Sequence, residues 1–317
     1  MRRRLGDLAL AGCLLLASFG YAVRWLDVTT FWLVALQALA PTAGLCVAVV
    51  TALAALARRR RLAAVGLAVT LVVGVVSAPA FVRSDAATPN PGDLVVLSAN
   101  LRFGRADPDA VLAQVRGHRV DLLVLLEVTP ATAARLDADG LDTLLPHEVG
   151  EARDGADGTL IRSRFPLTPV AAPTFPGETD LSQPAALADV DGRPLLVRAV
   201  HPFPPTPPNL NFWRSGLAGL KAWLSTQPDG IPVVLAGDFN ASADHPVFRE
   251  LAAGLVDAHQ AVGSGWVRTW PTDSWAPSFV QIDHVLARGL HATGAGSVLL
   301  PGTDHAAVWA SWSWPPG

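Results

Sequence analysis

The sequence predicts an α/β sandwich with mixed β-sheets, preceded by three transmembrane helices. Three observations predict it. Hydrophobic residues make up 50% of the 317-residue chain and are concentrated in three runs before residue 84. Beyond those runs, short apolar strands first alternate with helical segments and are later separated by hairpin signals. Several of these strands end in a single polar residue with chemical potential.

The apolar runs are Leu8–Val23, Phe31–Leu56 and Leu62–Val82. A helix needs about 20 apolar residues to cross the hydrocarbon core. The second and third runs meet that length and the first is shorter. Pro41 lies inside the second run, where a membrane helix tolerates a kink. Frequent Gly and Ala suit close helix packing in lipid. No charged residue lies deep in the runs, so a transport role has no support.

Arginines predict the orientation. Arg2, Arg3 and Arg4 precede the first run, Arg24 alone separates the first two, Arg58–Arg61 separate the second and third, and Arg83 follows the third. By the positive-inside rule the N-terminus and the Arg58–Arg61 loop are cytoplasmic. The expectation is a multi-pass plasma-membrane protein, anchored in the lipid bilayer, with everything after Val82 extracytoplasmic. A cleaved signal peptide in the first run is the alternative, weakened by the two spans that follow and by the lack of a small-x-small site. Leu10-Ala-Gly-Cys13 resembles a lipoprotein cleavage box, but the apolar stretch before Cys13 is too short.

Cys13 and Cys46, the only cysteines, both lie in apolar runs. The downstream domain therefore has no disulfide and no cysteine-based metal site. Residues 84–317 carry 15 of the 24 Lys and Arg but 25 of the 27 Asp and Glu, a net charge of −10. Such a domain lacks the electrostatic footprint of a nucleic-acid binder. Clustered carboxylates suit divalent cations instead.

The organisation expected is a membrane region over 1–83, a polar linker over Ser84–Gly92 and a folded domain over 93–317. Asp93–Asn100 reads as a strand. Asp107–Gly117 reads as a helix with Asp107 as cap and Pro108 in the first turn. Asp121–Val128 is a second buried strand and Thr129–Ala138 a second helix. Gly158–Ser163 follows, then Ala185–Val200 with the hairpin signal Asp191-Gly192. Asn209–Thr226 is amphipathic and helical. The strand starting at Ile231 leads into a helix near His245–Ala253, and Val280–Ala287 and Ala306–Trp312 are late strands.

The polar strand ends are Asn100, Glu127, His201, the pair Asp238 and Asn240, Asp283, and the pair Asp304 and His305. Taken singly, an Asn or Asp after a strand is a turn residue, and a lone Glu or His is a solvated end. Asp238 and Asn240 are two apart on an extended segment, which puts both side chains on one side. Strand ends in a layered sheet converge on one edge, so the whole set has the means to share a cleft.

Asn100, Glu127, His201, Gly237-Asp238-Phe239-Asn240, Ile282-Asp283-His284 and Thr303-Asp304-His305 occur in the order seen in the endonuclease/exonuclease/phosphatase superfamily, which the chain resembles from about Asp93 to Trp312. Ile161-Arg-Ser-Arg-Phe-Pro166, Gly254-Leu-Val-Asp-Ala258 and Thr269-Trp-Pro271 add to the resemblance. It implies a DNase I-like, four-layered α/β sandwich with two mixed β-sheets that hydrolyses a phosphate ester with Mg²⁺ or Mn²⁺. Glu127 then supplies a hard oxygen ligand, with Asn100 and Asp304 completing or ordering the metal site. Asp283 orients His305, His305 with Asp238 positions or deprotonates the attacking water, and Asn240 and His201 donate to the non-bridging oxygens. Thr303 stands where Ser is usual, Val200 where a small or polar residue is common, and His201 is followed by Pro-Phe-Pro-Pro-Thr-Pro-Pro.

Three substrate readings follow. The family favours a phosphodiesterase or nuclease, with Arg102, Arg105, Arg162 and Arg164 as the few basic residues near the motifs. The membrane tether favours a phospholipid, sphingomyelin or phosphoinositide headgroup hydrolase, with Phe203, Phe212 and Trp213 lining an entrance or simply packing. A catalytically silent binding domain is the third. No protein partner is inferred.

Overall fold

A computed structural model of the chain describes residues 2–84, 88–173 and 181–315. Residues 85–87 of the expected linker lie outside the described residues. The N-terminal region forms α1 (Arg2–Ala22), α2 (Phe31–Ala38), α3 (Ala40–Leu56) and α4 (Arg60–Ser77), with single 3₁₀ turns, Val23–Trp25 and Ala78–Phe81, extending α1 and α4.

Two helices, Arg4–Trp25 and Arg60–Phe81, are long and apolar enough to cross a membrane. The first run, the shortest by composition, forms one of them. The second run is interrupted beside Pro41. It is a pair of helices bent by 65°, and it makes a third span only if the pair counts as one. Pro41 is the physical reason. Its ring cannot follow a helical turn closed on the residues before it, but it fits the first turn of α3, where its missing N–H has no partner to lose. Buried Gln37 donates from Nε2 to the carbonyls of Val23 (3.0 Å) and Leu26 (2.8 Å), serving the open C-terminal end of α1. α3 packs between α1 and α4 through small residues. A Cβ on Gly44 would lie 2.8 Å from Val73, and one on Gly66 would lie 2.2 Å from the Thr51 hydroxyl. Asp7 and Arg59 pair at 2.5 Å where the start of α1 meets the α3–α4 turn.

The domain after Asp93 runs β1 (Leu94–Asn100), α5 (Pro108–His118), β2 (Leu122–Leu126), α6 (Pro130–Ala138), α7 (Leu141–Leu144), β3 (His147–Glu151), β4 (Thr159–Ser163), β5 (Leu167–Val170), β6 (Ala185–Val190) and β7 (Arg193–Val200). It continues with α8 (Leu210–Ser225), β8 (Val233–Asp238), α9 (Pro246–Ala252), β9 (Val256–Asp257), α10 (Ala258–Ala261), β10 (Asp283–Arg288), β11 (His291–Leu299) and β12 (Ala306–Ser313). Two six-stranded mixed sheets result, ordered β11-β12-β1-β2-β4-β3 and β5-β6-β7-β8-β10-β9.

Alternation decides the layering. Val96, Val124 and Ile161 of the first sheet meet Val197, Val234 and Val285 of the second in a shared core. The opposite faces pack on helices: Leu123 and Leu125 on α5 and α6, Leu196 and Leu235 on α8 and α9. This is the helix–sheet–sheet–helix sandwich that the sequence predicts. The caps hold as well, since Asp107 accepts from Asp109 N–H and Thr129 from Thr132 N–H.

Four strands, β3, β5, β9 and β11, are additions to the expected set. β11 is masked in the sequence by Gly294 and Gly296, poor strand formers. Both glycines make room for Trp309 on β12, because a Cβ at Gly296 would lie 2.7 Å from its indole nitrogen. The late strand expected from Val280 starts at Asp283, and Val280 makes only a single bridge to Trp270.

The N-terminal helical region is docked on the domain. Arg24 pairs with buried Asp244 at 2.9 Å, and Arg249 donates to the Arg24 carbonyl at 2.6 Å. Arg214 reaches Asp27 (2.6 Å) and the Val28 carbonyl (3.0 Å). Ser84 N–H donates to the Ala261 carbonyl at 2.8 Å, and Gly265 N–H to the Ala80 carbonyl at 2.7 Å. Val34 of α2 is buried in the same core cluster as Trp213, Phe239 and Phe248.

Candidate active site

The pairing registers bring the polar strand ends together. Parallel β1 and β2 place Asn100 opposite Leu126, so Glu127 emerges beside Asn100. Parallel β7 and β8 place Val200 opposite Gly237, so His201 emerges beside Asp238. Antiparallel β8 and β10 pair Asp238 directly with Asp283. β12 runs antiparallel to β1, and His305 immediately precedes it. The two sheets thus deliver their polar ends to one end of the sandwich.

Asn100 joins the sheets. Its Nδ2 donates to Glu127 Oε1 at 3.1 Å and to Asp238 Oδ2 at 3.4 Å, and its Oδ1 accepts from Arg102 N–H at 2.9 Å. Glu127 takes a left-handed backbone, φ 53°, and its second oxygen accepts from Phe103 N–H at 3.1 Å. Burial pushes its carboxyl above the usual range, against the Asn100 hydrogen bond that lowers it.

His305 Nδ1 lies 3.0 Å from Asp283 Oδ2, and Nε2 lies 3.8 Å from Asp238 Oδ2. Burial alone would push this imidazole down. The charges of Asp283 and Asp238 outweigh it and raise His305 to about 10. Burial raises Asp238 to about 7 while the His305 charge opposes the rise. His201 is buried and held neutral, lowered to about 4 by desolvation and by the nearby His305. Its Nε2 lies 3.7 Å from Glu127 and 4.0 Å from Asp238. Asn240, at φ 49°, returns its N–H to Asp238 Oδ1 (2.8 Å) and donates from Nδ2 to the Pro202 carbonyl (3.0 Å). One amide hydrogen is left over.

Of the sequence-predicted residues, Asn100, Glu127, His201, Asp238, Asn240, Asp283 and His305 come together here. Asp304 stands to one side. Its carboxylate faces Arg102 (3.4 Å) and accepts from the Trp270 indole N–H (3.3 Å). Trp213 is a core residue, whereas Phe203 lines the cleft. None of the four arginines singled out lines it. Arg102 pairs with Asp273, Arg162 with Asp137 and Glu148, and Arg164 with Asp121.

Several positioning residues escaped the sequence reading. The buried Thr269 hydroxyl accepts from the N–H groups of Ile282 (3.0 Å) and Asp283 (3.2 Å), fixing the start of β10. Thr303 donates to the Asn100 carbonyl (2.8 Å) and accepts from His305 N–H (3.2 Å), so the hydroxyl kept in place of Ser ties β1 to the His305 turn. His284 bridges Asp257 (2.9 Å) and the Ala241 carbonyl (3.0 Å), anchoring the loop after β8. Thr303, His284 and Thr269 all sat within quoted motifs. Apart from His305 N–H, their partners lie 13 to 203 residues away in sequence, so no local pattern announced the roles.

Asp238, Asp283 and His305 each offer a ligand atom within 4.8 Å of the others. His305 and Asp283 are already committed to one another, whereas Asp238 is a buried acid and Glu127 a partly buried one, and among the described residues no Arg or Lys lines the cleft beside them. That donor set fits a hard divalent cation bound through oxygen.

Two mixed sheets meeting over a buried cluster of carboxylates, imidazoles and amides define a DNase I-like hydrolase fold. The chain belongs to the Endonuclease/Exonuclease/phosphatase family, whose sequence profile matches residues 97–305. A search of curated proteins returned no match. Among solved structures, D. rerio TDP2 complexed with single strand DNA product is similar at 16% identity and a TM-score of 0.57, over 70% of this chain and 99% of that one. Truncated Caenorhabditis elegans TDP2 is similar at 18% identity and a TM-score of 0.55, covering 69% and 97% of the two chains. An endonuclease/exonuclease/phosphatase family protein from Bacteroides thetaiotaomicron is similar at 16% identity and 0.55, covering 72% and 100%.

Proposed function

We propose that the protein is a membrane-anchored, divalent-metal-dependent phosphoesterase that hydrolyses a phosphodiester by attack of water, with its catalytic domain outside the cytoplasm. The observation that carries this reading is the Asn100 amide shared between Glu127 and Asp238, which holds two acids from different sheets around one point.

Glu127 would hold the metal, Mg²⁺ or Mn²⁺, with Asn100 ordering it and Asp304 acting from one side. When bound, the metal neutralises charge on the phosphoryl and leaving oxygens. Asp238, raised to about 7 by burial, is poised to take a proton from water at its carboxylate oxygen. Asp283 holds the His305 imidazolium with Nε2 turned toward Asp238, where it donates to the developing oxyanion. His201, kept neutral, and the free amide hydrogen of Asn240 donate to the non-bridging oxygens.

Sidedness is supported by charge and geometry together. Arg4 and the Arg58–Arg61 turn lie at the end of the helical bundle where Asp7 meets Arg59, and the domain docks on the opposite end at Arg24.

The test is turnover of bis(p-nitrophenyl) phosphate by the purified full chain in detergent. Activity should vanish with EDTA, return with Mg²⁺ or Mn²⁺, and fall by on the order of 10³-fold in Asp238→Asn. Metal-independent turnover, or an Asp238→Asn protein as active as the wild type, rejects the reading. A reporter fused after Gly317 that works only outside the cytoplasm checks the orientation.

A further inference from the structure

The cleft over the candidate catalytic residues is a cavity of about 560 Å³, and its far wall belongs to the membrane region. Phe31, Val34, Ala35, Ala38 and Leu39, all from α2 and its end, face the same cavity as Glu127, Asp238 and His305. The bend that separates α2 from α3 lays this helix across the domain. His245 Nε2 donates to the Val34 carbonyl at 3.2 Å and seals the wall in place.

The remaining lining carries Phe203, Trp270, Phe279 and Ile282, and among the described residues no Lys or Arg. A polyanion such as a nucleic acid strand requires cations along its path, and the domain has a net charge of −10. One phosphate held at the acidic end and an apolar chain held along the aromatic and α2 walls fit this lining. Exposed tryptophans flank these lining segments in the chain. Trp25 and Trp32 are half or more exposed at the domain end of the helices, and Trp275, wholly exposed, sits in the loop between Trp270 and Phe279. Such residues favour the membrane–water interface.

We propose that the membrane region completes the substrate site: the substrate is an amphiphilic phosphodiester of the outer leaflet, with its phosphate at Glu127 and Asp238 and its apolar chain between α2 and the Phe203–Phe279 side. This rests on the phosphoesterase reading and names its substrate class. It makes α2 part of the binding site rather than part of an inert tether.

The test uses the full chain in nanodiscs. Methyl, octyl and dodecyl p-nitrophenyl phosphates are compared by kcat/KM. A methylene moved from water to an apolar wall contributes about fourfold, so dodecyl should exceed methyl by more than about tenfold. Ala35→Trp, and Ala38→Trp as a second variant, should reduce that ratio toward one through KM. A separate readout needs no turnover. An alkyl phosphodiester with a diazirine at the end of its chain should label both the 31–39 segment and the segments holding Phe203 or Phe279. Labelling confined to α1, α3 and α4, a preference unchanged in both tryptophan variants, or faster cleavage of a single-stranded oligonucleotide than of the dodecyl ester, overturns the proposal. Absence of all turnover with the cavity labelled on both walls rejects the phosphoesterase reading and leaves the amphiphile site supported.

Discussion

Asn100 donates one side-chain amide to Glu127 at 3.1 Å, and the same nitrogen lies 3.4 Å from Asp238 on the facing sheet. Asp238 is buried, Glu127 partly so, and their charges repel, so the amide is the group that lets them share a small space. Replacing Asn100 with Ala removes it. Turnover of bis(p-nitrophenyl) phosphate should fall by on the order of 10²-fold, with the metal requirement shifted to higher concentration. Circular dichroism should remain that of the folded protein. Unchanged kinetics would show that the amide is dispensable.

Asp283 sets the charge of His305. In the metal-free protein the imidazolium should persist to about pH 10. Its folded value lies above the ordinary 6.5, so the stability it contributes is complete below pH 6.5 and is lost as the pH rises through 10. Asp283→Asn removes the larger of the two carboxylate effects, and the His305 titration should move down toward 6.5. Histidine-selective NMR in detergent micelles reads this directly. A midpoint that stays near 10 in the variant would assign the rise to Asp238 instead.

His245 stands at the seam between the domain and the N-terminal helices. It accepts from Ser242 N–H at 2.9 Å on Nδ1 and donates from Nε2 to the Val34 carbonyl. The Ser242 bond needs the neutral ring, whereas the bond to the Val34 carbonyl survives protonation, and burial lowers the ring to about 4. Folding therefore binds fewer protons than the unfolded chain between pH 4 and 6.5. The stability is present above 6.5 and lost as the pH falls through 4, by about 3 kcal/mol at about 1.4 kcal/mol per pKa unit. Melting temperatures taken between pH 7 and 4 should fall more steeply for the wild type than for His245→Gln; parallel curves would place the acid sensitivity elsewhere.

Gly237 has φ 151°, and a Cβ there would lie 2.0 Å from the Val200 carbonyl oxygen. The clash is with backbone of the paired strand β7, which cannot step aside without breaking the register that sets His201 beside Asp238. Gly237→Ala should cost about 2 kcal/mol or more in thermal stability and lower activity as well. A variant with wild-type melting and turnover would mean that β7 and β8 separate freely at this point.

Much of the domain was legible from sequence because its signals are local. Hydrophobic runs of strand length, the Asp107 and Thr129 caps and the Asp191-Gly192 turn each predict one element from a few neighbouring residues. β11 was hidden for a non-local reason, since its glycines answer to Trp309 across the sheet. The second apolar run was legible as apolar and interrupted at Pro41, but its 65° bend was not, because hydropathy carries no direction. Whether Pro41 bends a helix or begins one depends on what the preceding turn packs against, here the core around Trp213 and Phe248.

By itself the sequence determined the family, the order of the polar strand ends and the acidic, cysteine-free character of the domain, because these are properties of residue type and spacing. Only the tertiary structure decided that Asn100 links Glu127 to Asp238, that Asp304 turns toward Arg102, and that α2 walls the cleft. Each of those depends on which distant segments meet, through strand register and helix docking, and a contact across more than a hundred residues leaves no trace in local composition.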